Sequence, residues 1–195
     1  MTQERQYTWE DAVAAIGQDF GGDTDHVADE AIEVTAVVRY CEPWEISNPI
    51  YWDKAVAKQA GYKNIVAPWS GLRQTWSYKG FWRPGDTTRF PKEVSKDQTA
   101  RLGSFRPAGK PLPLPRTGQG IVTDLEIEFF EPACVGDRLN VKGLKLVNVR
   151  PRQTRVGYGA FYNTMSELYN QRGQLVARFN FGLYSYIPGA QQPQR

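Results

Sequence analysis

One histidine, two cysteines and two methionines in 195 residues leave little from which to build a metal centre or a disulfide framework. The cysteines, Cys41 and Cys134, stand far apart with no CxxC or metal spacing, so they are expected as free thiols. The lone His26 sits in an acidic loop, GGDTDHVADE, beside Asp23, Asp25 and Asp29. The ligand types suit a metal, but the spacing matches no known loop, so the segment is read as a solvated acidic loop and no metal site is expected. No apolar run approaches the ~20 residues that cross a bilayer. The opening MTQERQYTWED is polar and acidic rather than a signal peptide, which points to a cytoplasmic protein with no membrane partner. There is no internal repeat, no RNA-binding aromatic motif and no helix-turn-helix signal, so nucleic acid is not an expected partner.

What is present is an ordinary globular composition, 41% hydrophobic and 23% charged, with an aromatic share of 13% and six Trp. The net charge of +3 conceals an asymmetry. Residues 1–34 carry nine acids against the single base Arg5, so the remainder is strongly basic. A basic body can attract an anionic ligand. Arg150, Arg152 and Arg155, with Lys110 and Arg116, are the candidate anion contacts; a solvated surface is the alternative.

Four short helices are expected first. Thr8–Ile16 has Thr8 as its cap and acids in its first turn. Thr35–Trp44 stops near Pro43. Asp53–Ala60 is capped by Asp53 and followed by Gly61. A further helix starts at Trp69-Ser70-Gly71 and runs towards Tyr78. Residues 79–118 are rich in Pro, Gly and basic residues and form a long insertion, which in a compact domain is usually functional or mobile. After Gly120 come four runs of β-branched and aromatic residues, 121–133, 138–150, 155–170 and 175–186. Val135-Gly136-Asp137 and Asn170–Gly173 supply turns, giving an antiparallel meander. The fold class is therefore α+β. The divisions are an acidic arm over 1–34, a main domain over 35–187 that includes the insertion, and a tail over 188–195.

The stretch YCEPWEISNPIYW (40–52), continued by WDKAVAKQAGYKNIVAP, resembles the hydratase signature of the MaoC-like hot-dog family, closest to its FAS1-like dehydratase N-terminal type. FWRPGD (81–86), EFFEPACVGDRL (128–139) and the segment 154–186 are similar to further family landmarks. The resemblance implies a single hot-dog fold, an antiparallel sheet wrapped around a central helix. It implies water addition to, or removal from, an acyl-CoA or acyl-carrier thioester with R stereochemistry, and no cofactor. Active members use an Asp and a His from one loop, with a backbone N–H at the central helix start polarising the thioester oxygen.

Here Asn48 and Pro49 match, but Ile46 fills the acidic slot and Tyr51 the histidine slot. Ile46 cannot exchange a proton, and a tyrosine is a poor base at neutral pH, though it can donate a hydrogen bond. Gly71 falls at the oxyanion donor position. Glu45, Tyr51 and Asn48 are the residues left for any chemistry, although Glu45 reads first as a solvent-facing helix end. Cys41 and Ser70 lack a histidine to activate them. Trp44, Trp52, Trp69, Trp76 and Trp82 either line an acyl tunnel or pack the core, and Ser70 and Arg155 complete the candidate substrate contacts. Three functions remain open: a dyad-less subunit pairing with a catalytic hot-dog chain or with itself, a diverged enzyme, and an acyl-binding module.

Overall fold

The computed structural model describes residues 6–22, 26–87 and 109–192. The middle of the expected insertion, 88–108, and the last three residues of the tail lie outside the described residues. Four long strands dominate: β2 (Gln119–Phe129), β3 (Asn140–Thr154), β4 (Gly157–Tyr169) and β5 (Leu175–Pro188). With the two-residue β1 (His26–Val27) they make one antiparallel sheet in the order β1-β3-β4-β5-β2.

Strand alternation sets two faces. On β4, Ala160, Tyr162 and Leu168 are buried, and they pair with Ser185, Leu183 and Ala177 of β5. That face is the inner one. Its β2 members are Val122, Leu125, Ile127 and Phe129, opposite Leu183, Phe181, Phe179 and Ala177. The outer face carries Glu126, Glu128, Asn163, Glu167 and Arg178, as the two-residue period requires.

The β4–β5 turn forms because Asn170 Oδ1 accepts the N–H groups of Arg172 and Gln174, and Gly173 takes a left-handed φ of 73°. The expected β2–β3 hairpin does not form. β2 lies against β5 at one end of the sheet, while β3 lies on the far side of β4. The intervening Val135-Gly136-Asp137 turn instead bonds sideways, Val135 N–H to Ile65 O and Gly136 N–H to Ile32 O, both at 2.8 Å. Asp137 is buried there; its carboxylate accepts Lys63 Nζ at 2.6 Å and Cys134 N–H at 2.8 Å.

Three short α-helices accompany the sheet, and the first two pack on its inner face. Helix α1 (Trp9–Ala14) starts at Thr8 in a capping box with Asp11 and buries Trp9 and Ala12 against Leu146, Val149 and Tyr162. Helix α2 (Val34–Cys41) buries Val37 and Cys41 among Leu139, Leu168 and Phe179. Each fully buried leucine of this core contributes roughly 1.5–3 kcal/mol by leaving water. Helix α3 (Lys54–Gln59) is capped by Asp53, whose Oδ1 accepts Ala55 and Val56 N–H, and Gly61 follows it with φ 92°.

The helix expected from Trp69 towards Tyr78 is only a 3-10 turn, Trp69–Gly71, continued by irregular turns. The reason is visible at Gly71. Its carbonyl accepts N–H groups from Thr75 and Trp76 together, at 2.8 and 3.0 Å, so the ladder stalls on one acceptor. The buried Trp76 indole then reaches back to Pro68 O at 2.9 Å. Among the described residues no helix is long and apolar enough to cross a membrane.

Candidate functional site

The segment 40–52 makes two tight turns between α2 and α3. The first is a 3-10 turn, Glu42–Trp44, closed by Glu45 in the left-handed region at φ 48°. It is the only non-glycine residue with positive φ among the described residues, a cost that the surrounding turn has to carry. The chain then returns, with Ile46 N–H bonded to Cys41 O at 3.2 Å. The second turn is Pro49–Tyr51, with Asn48 Oδ1 accepting Ile50 N–H and proline at its first position. Asn48 thus works as a cap.

Ile46 is partly buried against the core, and its carbonyl accepts the Trp52 indole N–H at 2.6 Å. The acidic slot is therefore filled by an apolar side chain that packs. Tyr51 also packs against the core and reaches a groove of about 270 Å³. Ile50, Tyr62, Trp69, Phe129, Glu131 and Val176 are among the other residues that line it. Burial pushes the Tyr51 hydroxyl above the ordinary tyrosine value, with smaller pushes from Cys41 and Tyr62. It remains a neutral phenol, able to donate a hydrogen bond and unable to act as a base near neutral pH.

The other wall of the groove comes from the 69–71 turn and the end of β2. Trp69, 57% exposed, stands edge-on to Phe129 with ring centroids 5.9 Å apart. Ser70 is held by the Tyr40 hydroxyl, oxygen to oxygen 2.9 Å. The Gly71 N–H donates to Pro68 O at 3.1 Å, closing the turn. A Cβ at Gly71 would run into the Trp76 indole nitrogen, so only glycine lets the indole pass there.

The structure gathers Tyr51, Trp69 and Ser70 on one side of the molecule and scatters the rest. Glu45 and Trp44 are exposed on the first turn and do not line the groove. Trp52 is tied to Ile46. Trp76 is core. Trp82 donates to Asp86 O at 3.3 Å within the turn Arg83–Asp86, which is anchored through Arg83 to Glu30 at 3.1 Å. Arg155 lies in the β3–β4 turn, beside a shallow depression lined by Ile121, Phe161 and Tyr184 on the outer face. Ile121 and Tyr184 pair towards the opposite end of β2 from Phe129. Arg155 is thus on the other face and at the other end from Tyr51.

The sequence reading passed over Tyr62, Phe129 and Glu131 as site residues. Glu131 was legible only as part of EFFEPACVGDRL, which read as a hairpin. Its position on the groove follows from β2 crossing to β5. Cys41 and Cys134 are both buried free thiols, and burial raises both above the ordinary value. His26 is buried in β1. Asp23 and Asp25 lie outside the described residues, and among the described ones no cluster of His, Cys, Asp and Glu is placed to hold a metal ion.

Comparison with known proteins fits this geometry. A family model described as "FAS1-like, dehydratase domain region" matches residues 14–179. A "probable enoyl-CoA hydratase alpha subunit" from Thermomonospora curvata is 24% identical over 163 residues, covering 82% of this chain and 46% of that protein. The chain therefore spans about half the length of the curated relative it matches. Among solved structures, the ChsH1-ChsH2 complex from Mycobacterium tuberculosis has a chain with TM-score 0.65 and 22% identity, covering 93% of this chain and 97% of that one. A MaoC-like dehydratase from Rhodospirillum rubrum gives TM-score 0.54 at 17% identity, covering 92% and 95%. These structural likenesses show a hot-dog fold.

Proposed function

The chain belongs to the FAS1-like dehydratase region family, and on that premise we propose that it is the dyad-less, acyl-binding half of an (R)-specific enoyl-thioester hydratase or 3-hydroxyacyl-thioester dehydratase, completed by a second hot-dog chain. The observation that carries this reading is Tyr51. The side chain in the histidine slot is a half-buried phenol whose ionisation is pushed upward, and the acidic slot two residues before Asn48 is an isoleucine packed on the core. Proton removal from substrate or water needs a base within hydrogen-bond reach and a pKa near working pH, and this pair supplies neither. The apolar groove is kept.

The ligand is an acyl-CoA or acyl-carrier thioester. Trp69, Phe129 and Ile50 give its chain an apolar wall, and the Tyr51 hydroxyl gives its polar end a donor. That the T. curvata relative is an alpha subunit, and that the M. tuberculosis chain comes from a complex of two different chains, supports a partner. Cytoplasmic placement follows from the substrate. The test is to assay the purified chain with crotonyl-CoA and a longer enoyl-CoA, and to titrate it with a non-hydrolysable acyl-CoA. Binding without hydration is the expected result; hydration at enzymatic rates by the chain alone overturns it.

One observation favours a second reading, a diverged enzyme. Glu131 is a carboxylate lining the same groove as Tyr51, a position that Glu45 does not hold. If turnover of any acyl thioester is found, Glu131→Gln and Tyr51→Phe should each reduce it. Unchanged rates in both remove this reading.

A further inference from the structure

The basic cluster Arg150, Arg152 and Arg155 takes no part in the groove. Cross-strand register gathers it elsewhere. Arg150 stands opposite Phe161, Phe161 opposite Tyr184, and Tyr184 opposite Ile121. Arg152 stands opposite Gly159, and Gly159 opposite Tyr186. Opposed residues share a face, so these arginines and rings lie together on the outer face, at the Ile121 end of the sheet. Arg155 follows in the turn between β3 and β4. All three arginines are exposed, and among the described residues none has an ion-pair partner.

The rings form a ladder. Tyr184 stacks on Phe161 with centroids 4.3 Å apart and on Tyr186 at 5.1 Å, and is only 3% exposed. Its hydroxyl donates to Gly157 O at 2.8 Å and lies 3.1 Å from Thr154 Oγ1, which ties the turn to the ladder. The depression beside Arg155 has a volume of about 300 Å³, at the lower end for small-molecule sites. Phe161 and Tyr184 give it rings, and Ile121 and Val156, each about half exposed, give it aliphatic walls.

Charge narrows the ligand. Residues two apart on a strand are about 7 Å apart, so Arg150 and Arg152 suit an anion with more than one negative charge. Guanidinium groups pair with phosphate oxygens two at a time. The same face turns acidic in the next rows. Asp124 lies opposite Gly182, Glu126 opposite Asn180, and Glu128 opposite Arg178, which in turn faces Glu167. A phosphate chain running along the face would meet these carboxylates, so a compact anion fits and a nucleic-acid strand does not. A planar ring for the depression and clustered negative charge for the arginines together describe a nucleoside phosphate.

We propose that this end of the outer face binds a nucleoside diphosphate, with its base against Phe161, Ile121 and Val156 and its phosphates on Arg150, Arg152 and Arg155. The site lies on the opposite face from the acyl groove and at the opposite end of β2 from Phe129. It is separate from that groove and does not rest on the reading of it.

The test is isothermal titration of the full chain in low salt with ADP, GDP and UDP, against adenosine and pyrophosphate. At least one nucleotide is expected to saturate a single site, at least roughly tenfold more tightly than either fragment. Arg152→Gln/Arg155→Gln should weaken it at least roughly tenfold. Ile121→Glu, which sets a carboxylate in the depression, should do the same. Acyl-pantetheine fills the groove but carries no nucleotide, and should leave the affinity unchanged. The proposal is overturned if no nucleotide saturates, if pyrophosphate binds as tightly as the nucleotides, or if the arginine variant matches the parent. Displacement of the nucleotide by acyl-pantetheine also overturns it, as does tighter binding of a short single-stranded oligonucleotide. Should Ile121→Glu fail to fold, as judged by its melt, the arginine variant decides. Acyl-thioester binding by the groove can fail without changing any of these results, so the two readings fail separately.

Discussion

The Tyr40 hydroxyl and Ser70 Oγ lie 2.9 Å apart, and this one bond ties the end of α2 to the turn that carries Trp69. Tyr40 also packs its ring on Trp76, centroids 5.2 Å apart. Tyr40 thus holds the groove wall through one polar contact and one aromatic contact. Tyr40→Phe keeps the second and removes the first. It should cost about 0.5–1.5 kcal/mol. At this chain length that is a fall of roughly 1–6 °C in Tm by calorimetry. Acyl-CoA binding should weaken with it.

Tyr51→Phe separates the phenol's polar role from its packing. Stability should stay within about 1 kcal/mol of the parent, because the ring is retained. Acyl-CoA affinity should fall roughly fivefold if the hydroxyl donates to the thioester end. Isothermal titration reads the affinity, and an unchanged constant means that the hydroxyl does not touch the ligand.

Asp137→Asn tests the clip between the 63–67 segment and the β2–β3 connection. The buried carboxylate accepts from Lys63 and from Cys134 N–H, so neutralising it leaves a half-buried ammonium with a weaker acceptor. A loss of about 2–3 kcal/mol is expected in urea unfolding, with the slope unchanged.

Gly71→Ala should be among the more costly single-methyl additions in this chain. The new Cβ collides with a buried indole that is itself fixed by its bond to Pro68 O. A penalty of about 1–3 kcal/mol is expected. Fluorescence should report a displaced Trp76; an unchanged spectrum and melt would show that the indole moves aside without cost.

Asp29 gives a pH prediction. Partial burial pushes its carboxyl upward, but the N–H groups of Phe81 and Gly80, each at 2.7 Å, outweigh that together with the charges of Arg83 and Lys79. The folded value lies below the ordinary one. Its contribution is therefore complete above the unfolded value of about 3.9 and disappears as pH falls through the lower, folded value. Amide exchange at Gly80 and Phe81 should accelerate over that window. Asp29→Asn should remove the dependence.

Much of the fold was legible because its signals are local. The four long strands showed their alternation, and Thr8, Asp53 and Gly61 marked helix ends by side-chain chemistry that acts within four residues. What stayed hidden depends on distant partners. β1 is two residues long and has no pattern of its own; it exists because Val141 and Asn140 lie beside it. The β2–β3 hairpin looked sound because the turn residues were right, but sheet order is decided by which apolar rows fit, and β5 fits β2. The 69–78 helix failed on Trp76, whose indole bond to Pro68 no helical pattern can announce. In the candidate site, the motif singled out Tyr51, Asn48 and Ile46, of which Tyr51 lines the groove, Asn48 caps a turn and Ile46 packs on the core. It gave no access to Glu131 or Phe129, which reach the groove only through the crossing of β2.

That crossing also sets an order of events during synthesis. Phe129 leaves the ribosome 46 positions ahead of Leu175, the first residue of β5, its only strand partner among the described residues. At about 5–20 residues per second, the apolar row of β2 waits some seconds without cover. Asp124, Glu126 and Glu128, interleaved with that row, are the kind of charge that keeps a waiting strand from sticking to its neighbours on a polysome.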